Sequence, residues 1–138
     1  MQLVIDANIL FAALIKEGIN TTIIGTPNIQ FLAPAYLYQE LEKHKEFILE
    51  KTTRTPEEFS QLLTHLKENI TTLTDEELEP YGKTATTISP DPGDIAYFAT
   101  ALHSNCPIWS NDKRLKQQKL IPIITTQELI TLLTTSTS

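Results

Sequence analysis

Cysteine and histidine are scarce in this sequence, and their scarcity excludes several kinds of protein. Cys106 is the only cysteine, so the chain has no means of forming an intramolecular disulfide or a cysteine-based zinc cluster. His44 follows Glu40 at the spacing of a helical ligand pair, but no second histidine pattern supports a zinc site. Because the single cysteine cannot form an intramolecular disulfide, a reducing compartment is the expected environment.

Long apolar segments are also missing. No apolar run approaches the roughly 20 residues needed to cross a bilayer. The opening MQLVID lacks the basic region of a signal peptide. We therefore expect a soluble, cytoplasmic protein.

Basic residues are outnumbered by acidic ones. The chain has 11 Lys and Arg against 17 Asp and Glu, a net charge of −6. This balance lacks the positive charge expected of a protein that coats DNA. It does not exclude nucleic acid, because four carboxylates bound to two divalent cations would bring the total to about −2.

The length of 138 residues corresponds to one domain, which we place at residues 1–134 with a tail at 135–138. Short apolar runs with little polar alternation predict strands that are buried on both faces. The predicted strands are residues 2–5, 29–32, 86–88, 107–109 and 121–124.

Helical patterns separate these runs. Thr55 and Asp91 are predicted N-caps, and Pro92 occupies a first helical position. The predicted helices are residues 8–16, 34–51, 56–69, 91–104 and 126–133, and a capping box at 74–77 begins a further one. The alternation predicts an α/β fold, a three-layer α/β/α sandwich with a central parallel sheet of about five strands.

Four of the five aspartates follow predicted strands. Asp6 ends the first strand, Asp91 and Asp94 begin the helix after the third, and Asp112 lies just beyond the fourth. Glu40 lies early in the helix that follows the second strand. Since open parallel sheets bind ligands outside the carboxyl ends of their strands, we expect these side chains to converge.

Converging carboxylates repel one another, and burying one without a partner costs several kcal/mol. A cation removes this cost, and oxygen donors alone select Mg²⁺ or Mn²⁺ over zinc. Such sites most often hydrolyse phosphodiesters. The predicted catalytic and metal-binding residues are Asp6, Glu40, Asp94 and Asp112, with Asp91 as an alternative further ligand.

Each acid also has a structural interpretation. Asp91 precedes a proline at a helix start, so N-capping explains it better than metal binding. Asp6, Asp94 and Asp112 could also serve as helix caps. Glu40 could lie on a helix surface.

Polar residues near these acids are predicted to support them. Asn8, Ser110 and Asn111 can hold a carboxylate or phosphate oxygen. The densest basic cluster follows Asp112 and fits either a solvated face or a phosphate contact. Its members are Lys113, Arg114, Lys116 and Lys119.

Four segments, in this order, resemble the PIN-domain nuclease family: VIDANILFAALI, the helix of Glu40, SPDPGDIAYFATAL, and CPIWSNDKRL followed by TTQELI. The resemblance covers nearly the whole chain and is nearest to the branch with DPDD- and WSND-type motifs. It implies a ribonuclease with one or two Mg²⁺ or Mn²⁺ ions, whose acids are Asp6, Glu40, Asp94 and Asp112. It also implies the toxin of a VapC-type toxin–antitoxin pair, whose members bind a protein antitoxin and commonly form homodimers.

Two positions depart from the family pattern. Ala7 stands where many members have threonine, which removes a hydroxyl beside Asp6, while Asn8 is retained. Gly93 stands where this branch often has an acid. The second departure leaves the number of metal ions open.

These observations predict a metal-dependent endoribonuclease that uses water as the nucleophile and leaves a 5′-phosphate. A phosphatase of the haloacid dehalogenase type needs a second aspartate two residues after the first, where this chain has Asn8. A phospho-acceptor signalling domain needs a lysine after its last strand, and IPIITT supplies none. The alternative is a PIN-like module that binds RNA or protein without cleaving it.

Overall fold

The computed structural model describes residues 1–135 and contains one five-stranded, parallel sheet with the strand order β3-β2-β1-β4-β5. The strands are β1 Gln2–Ile5, β2 Gln30–Pro34, β3 Ile70–Leu73, β4 Ile108–Trp109 and β5 Ile123–Ile124. Helices connect them, which confirms the predicted α/β/α class.

Eight α-helices lie in the described part of the chain. They are α1 Ala7–Ile15, α2 Ile19–Ile24, α3 Tyr36–Lys51, α4 Pro56–Glu68, α5 Asp75–Leu78, α6 Gly82–Ile88, α7 Ile95–Ser104 and α8 Thr126–Thr135. No helix within residues 1–135 is both long enough and apolar enough to span a membrane. Of the predicted tail, Thr135 is the last residue of α8, and 136–138 lie outside the described residues.

The central strand β1 determines where a ligand can bind. Its last three residues are fully buried, and Val4 pairs with Leu32 of β2 on one side and with Ile108 of β4 on the other. The chain builds outward from β1 through β2 to β3, and then returns to the other side for β4 and β5. The direction of winding reverses between β1 and β4. In open parallel sheets, this switch point is where ligands bind, outside the carboxyl ends of the strands.

The predicted strand at residues 86–88 is wrong, because this segment is the last turn of α6. The hydroxyls of Thr86 and Thr87 donate hydrogen bonds to the carbonyl oxygens of Gly82 and Lys83, four residues earlier. These bonds accommodate threonine inside a helix.

The third strand of the chain is β3 instead, which the sequence did not reveal. Only Ile70 and Leu73 of this strand are buried, while the two threonines between them are exposed. As an edge strand with one neighbour, β3 has no continuous apolar run. The short helix α2 also escaped prediction.

The helix starts predicted from capping residues at 55, 74 and 91 are confirmed, whereas Pro34, predicted to begin a helix, is the last residue of β2, and α3 begins at Tyr36. Thr55 accepts a hydrogen bond from the Glu58 amide in a capping box, and Thr74 does the same with Glu77. Asp91 Oδ1 accepts a hydrogen bond from the Gly93 amide at 2.8 Å. Here the chain first forms a 3₁₀ turn, Pro92–Asp94, and then enters α7, which packs against β1 and β2. Asp94 is therefore brought toward β1 by helix packing and not by a strand of its own.

Candidate active site

Asp6 and Ser110 meet at the switch point because each directly follows one of two paired strands. The Asp6 amide donates a hydrogen bond to the Trp109 carbonyl, which aligns the ends of β1 and β4. Ser110 Oγ then donates to Asp6 Oδ2 at 2.7 Å, and the two residues are 0% and 8% exposed. Ser110 Oγ also accepts from the Asp112 amide at 3.1 Å. One buried hydroxyl thus connects the first acid to the loop of the last.

Burial raises the pKa of Asp6, because the charged carboxylate loses its hydration. Hydrogen bonds from Ser110 and from the amides of Ala7 and Asn8 oppose this shift by stabilising the charge. The charge of Asp112 adds a small further increase. Asp6 is thus a dehydrated anion for which a cation would be a favourable partner.

Asp94 ends the 3₁₀ turn and carries the most strongly perturbed carboxyl group of the site. Burial first, and then the charges of Asp6, Asp91 and Asp112, raise its pKa to about 6. Its Oδ2 atom is buried and has no hydrogen-bond partner among residues 1–135. Buried oxygens of this kind are rare, and an ion that binds there is one recognised explanation.

Asp112 is turned toward Arg114. Arg114 Nη2 donates to Asp112 Oδ2 at 2.7 Å, and Nε lies 3.2 Å from both carboxylate oxygens. The Arg114 backbone amide donates to Oδ1 at 3.0 Å. These hydrogen bonds hold the pKa of Asp112 below its usual range. Arg114 Nη1 also lies 3.7 Å from Asp91 Oδ2, so the guanidinium stands between two acids.

Glu40 is held by Tyr97, a buried residue of α7. The Tyr97 hydroxyl donates to Glu40 Oε1 at 2.6 Å. Burial and the neighbouring Glu40 raise the pKa of Tyr97 far above its ordinary value, so Tyr97 stays protonated as the donor. The charges of Asp6, Asp91 and Asp112 raise the pKa of Asp94, whereas the charge of Glu40 raises the pKa of Tyr97. Glu40 is thus linked to the other acids through Tyr97, whose pKa the charge of Asp6 also raises.

A cavity of about 270 Å³ opens beside Asp6 and Asp112. Three asparagines line it: Asn8, Asn20 and Asn111. Asn20, at the start of α2, was not predicted, because no nearby motif distinguishes it from an ordinary helix residue. Its Nδ2 donates to the Ile9 carbonyl at 3.4 Å.

Asn111 anchors its own loop. Its Oδ1 accepts from the Thr126 amide at 2.8 Å, and its Nδ2 donates to Thr126 Oγ1 at 3.0 Å. The side chain therefore ties the loop of Asp112 to the start of α8, and does not bond to the Asp112 carboxylate. Asn8 is exposed in the first turn of α1 and faces the cavity.

The basic residues of the 3₁₀ turn Lys113–Gln117 have different surroundings. Arg114 binds the acids of the site, whereas Lys116 Nζ lies 2.8 Å from Glu128 Oε1, on α8. Lys113 and Lys119 are exposed. Arg114 is thus the member of the predicted basic cluster that the fold places directly on the acids.

The carboxylates surround the site without forming a closed cage. Within residues 1–135, no three acidic, histidine or cysteine side chains are grouped closely enough to hold a metal ion as they stand. Arg114 engages Asp112, and Tyr97 engages Glu40. The unpaired Asp94 Oδ2 and the dehydrated Asp6 nevertheless provide the oxygen donors that a hard divalent cation prefers.

The sequence model of the PIN domain matches residues 4–134. The chain belongs to the PIN-domain family. PIN domains are typically nucleases that use divalent metal ions, and the match includes all the acids described above. No curated protein gave a significant match to this PIN domain.

Proposed function

We propose that this PIN domain is an Mg²⁺- or Mn²⁺-dependent endoribonuclease. The observation that carries the proposal is Asp94, whose buried Oδ2 lacks a partner within residues 1–135 and whose pKa is raised by burial and by three neighbouring aspartates. An acid arrangement of this kind is unfavourable by itself and becomes favourable when a cation neutralises it.

Asp6 and Asp94 would hold the ion, with Asp112 and Glu40 as further ligands. When bound, the ion would polarise the scissile phosphate and make a water molecule more acidic. Asp91 is a less favourable metal ligand than the other acids, because its Oδ1 already caps the 3₁₀ turn. One or two ions are compatible with these acids.

Residues of the chain itself would orient the substrate. Ser110 fixes Asp6, and Tyr97 fixes Glu40. The amides of Asn8 and Asn20 line the cavity and can donate to phosphate oxygens. Lys113 is exposed, directly follows Asp112 in the chain and can attract the RNA backbone despite the net charge of −6.

Two further proposals rest on the likeness to VapC-type members. The protein would act as the toxin of a toxin–antitoxin pair, inhibited by a protein antitoxin, and it would form a homodimer. The protein would be located in the cytoplasm.

A second candidate function is a module that binds RNA without cleaving it. The observation in its favour is that Arg114 and Tyr97 already engage two of the four predicted ligands.

The test is cleavage of end-labelled single-stranded RNA, with DNA of the same sequence in parallel, in Mg²⁺, Mn²⁺ or EDTA. We expect cleavage of RNA with metal only, 5′-phosphate ends, and loss of activity in Asp6→Asn and Asp94→Asn. Glu68→Gln is the matched control, because Glu68 is exposed at the end of α4, just before β3 begins, at the opposite edge of the sheet from the acids. Its activity should be retained.

The outcomes separate the two functions. If RNA is not cut but Mn²⁺ stabilises wild type and not Asp94→Asn against heat, the metal site is real and the assay lacks the specific RNA. If RNA binds, is never cut and metal has no effect on stability, the non-catalytic module is correct.

A further inference from the structure

Arg114 fills the hydrogen-bonding capacity of the Asp112 carboxylate with its guanidinium and its backbone amide together. An ionised carboxylate offers about four lone-pair sites. Oδ1 accepts from the Arg114 amide and from Nε, and Oδ2 accepts from Nε and Nη2. Planar arginine forks of this kind are stronger and more specific than contacts to a lysine ammonium.

This arrangement differs from an ordinary surface ion pair. Nη1 of the same guanidinium lies 3.7 Å from Asp91 Oδ2, so Arg114 bridges two acids of the site. We refer to Asp6, Asp91, Asp94 and Asp112 as the acidic cluster. Among residues 1–135, Arg114 forms both of the ion pairs made by this cluster. Lys116, on the same 3₁₀ turn, pairs with Glu128 instead.

We propose that Arg114 is a built-in competitor of the divalent cation for Asp112. The guanidinium must leave Asp112 before this carboxylate can bind an ion, and once released it is free to bind a phosphate oxygen of the substrate. The side chain is 60% exposed, so it can swing away without disturbing the core. This proposal rests on the proposed metal-dependent function.

Direct metal binding tests the competition without RNA. Mn²⁺ affinity is measured by titration calorimetry for wild type, Arg114→Gln and Arg114→Lys. We expect both variants to bind Mn²⁺ about three- to tenfold more tightly than wild type, because the three guanidinium contacts to Asp112 are lost while the backbone amide contact remains. Arg114→Lys decides the mechanism, since it keeps the positive charge but cannot form the fork.

Lys116→Gln is the matched control for net charge. It removes one positive charge from the same turn, and because Lys116 pairs with Glu128 and not with the acidic cluster, it should change Mn²⁺ affinity by less than about twofold. Thermal melts confirm that every variant is folded.

The results distinguish this proposal from the proposed function. Equal Mn²⁺ affinity in wild type, Arg114→Gln and Arg114→Lys would overturn the competition and leave the metal site intact. Weaker binding in both Arg114 variants would also overturn it, because Arg114 would then be positioning Asp112 as a ligand. If no protein binds Mn²⁺ at all, the metal-dependent function fails together with this proposal.

Discussion

Ser110 Oγ donates a hydrogen bond to Asp6 Oδ2 across 2.7 Å, although the two residues are 104 positions apart in the chain. The register of β1 and β4 makes this contact possible, since Ile5 and Trp109 pair directly before them. The same Oγ atom accepts from the Asp112 amide. The hydroxyl therefore organises both ends of the site.

Replacing Ser110 with alanine tests this link. Ser110→Ala leaves Asp6 Oδ2 and the Asp112 amide without their shared partner, which should lower the free energy of unfolding by about 1–3 kcal/mol. Mn²⁺ affinity should fall by about 10–100-fold, the usual effect of removing a residue that orients a ligand. Urea unfolding and calorimetry measure the two effects. Ser60→Ala, at an exposed position on α4, should change neither.

The raised pKa of Asp94 predicts an unusual pH dependence of stability. The folded pKa of about 6 exceeds the ordinary value of 3.8, so between these pH values the native state holds more protons than the unfolded state. Stability from this group is therefore present below about pH 4 and is lost as the pH rises through 6.

The substitution Asp94→Asn removes the loss of folding stability that wild type shows as the pH rises through 6. In EDTA at pH 7, we expect Asp94→Asn to be more stable than wild type by about 1 kcal/mol, a figure reduced for solvent screening because Asp94 is only half-buried. The difference should vanish near pH 4. Urea titrations of both proteins across this range provide the check, and a wild type that is the more stable protein at pH 7 would contradict the assignment.

Tyr97→Phe tests whether Glu40 needs its hydrogen bond. The ring is retained in the core, but Glu40 Oε1 loses its donor, which should cost about 1–2 kcal/mol in stability. RNA cleavage should fall with it, because Glu40 is no longer held toward the site. Tyr81→Phe is the comparison, since the Tyr81 ring packs edge-on against His103, away from the acids. Unchanged cleavage in Tyr97→Phe would mean that Glu40 needs no positioning.

Lys113 is predicted to contact the RNA backbone. Lys113→Gln should weaken RNA binding and reduce the slope of log affinity against log salt by about 0.7, the value for one phosphate contact on a single strand. Fluorescence anisotropy with labelled RNA in EDTA, at several KCl concentrations, measures this slope. Lys83→Gln on α6 is the control for lost charge, and an equal slope change in both variants would exclude a specific contact.

Several features were predictable because they depend on neighbouring residues. The apolar runs of β1, β4 and β5 are short and uninterrupted, so their positions were found within a few residues. Asp6 and Asp112 closely follow such runs, and this local pattern is enough to identify them as candidate site residues. The capping boxes at Thr55 and Thr74 were predictable for the same reason, because each depends on two residues three positions apart.

Other features were predicted wrongly, or were not predicted from the sequence, for physical reasons. Residues 86–88 have the composition of a strand, but they form the last turn of α6, which packs against α7, and their threonine hydroxyls bond to the preceding turn. The edge strand β3 buries only its two end residues, so its pattern resembles a loop. Both errors arise where tertiary contacts outweigh local preference.

The sequence by itself determined the α/β class and the family, and it singled out Asp6, Glu40, Asp94 and Asp112 as candidate site residues. For Asp6 and Asp112 the reason is that strand-length apolar runs and the residues that follow them are local signals. The tertiary structure alone decided which partners those acids have: Ser110 for Asp6, Tyr97 for Glu40, and Arg114 for both Asp112 and Asp91. It also brought Asn20 to the cavity and left Asp94 Oδ2 buried without a partner in residues 1–135. Side-chain partners depend on strand register and helix packing, which bring together residues that are far apart in the chain.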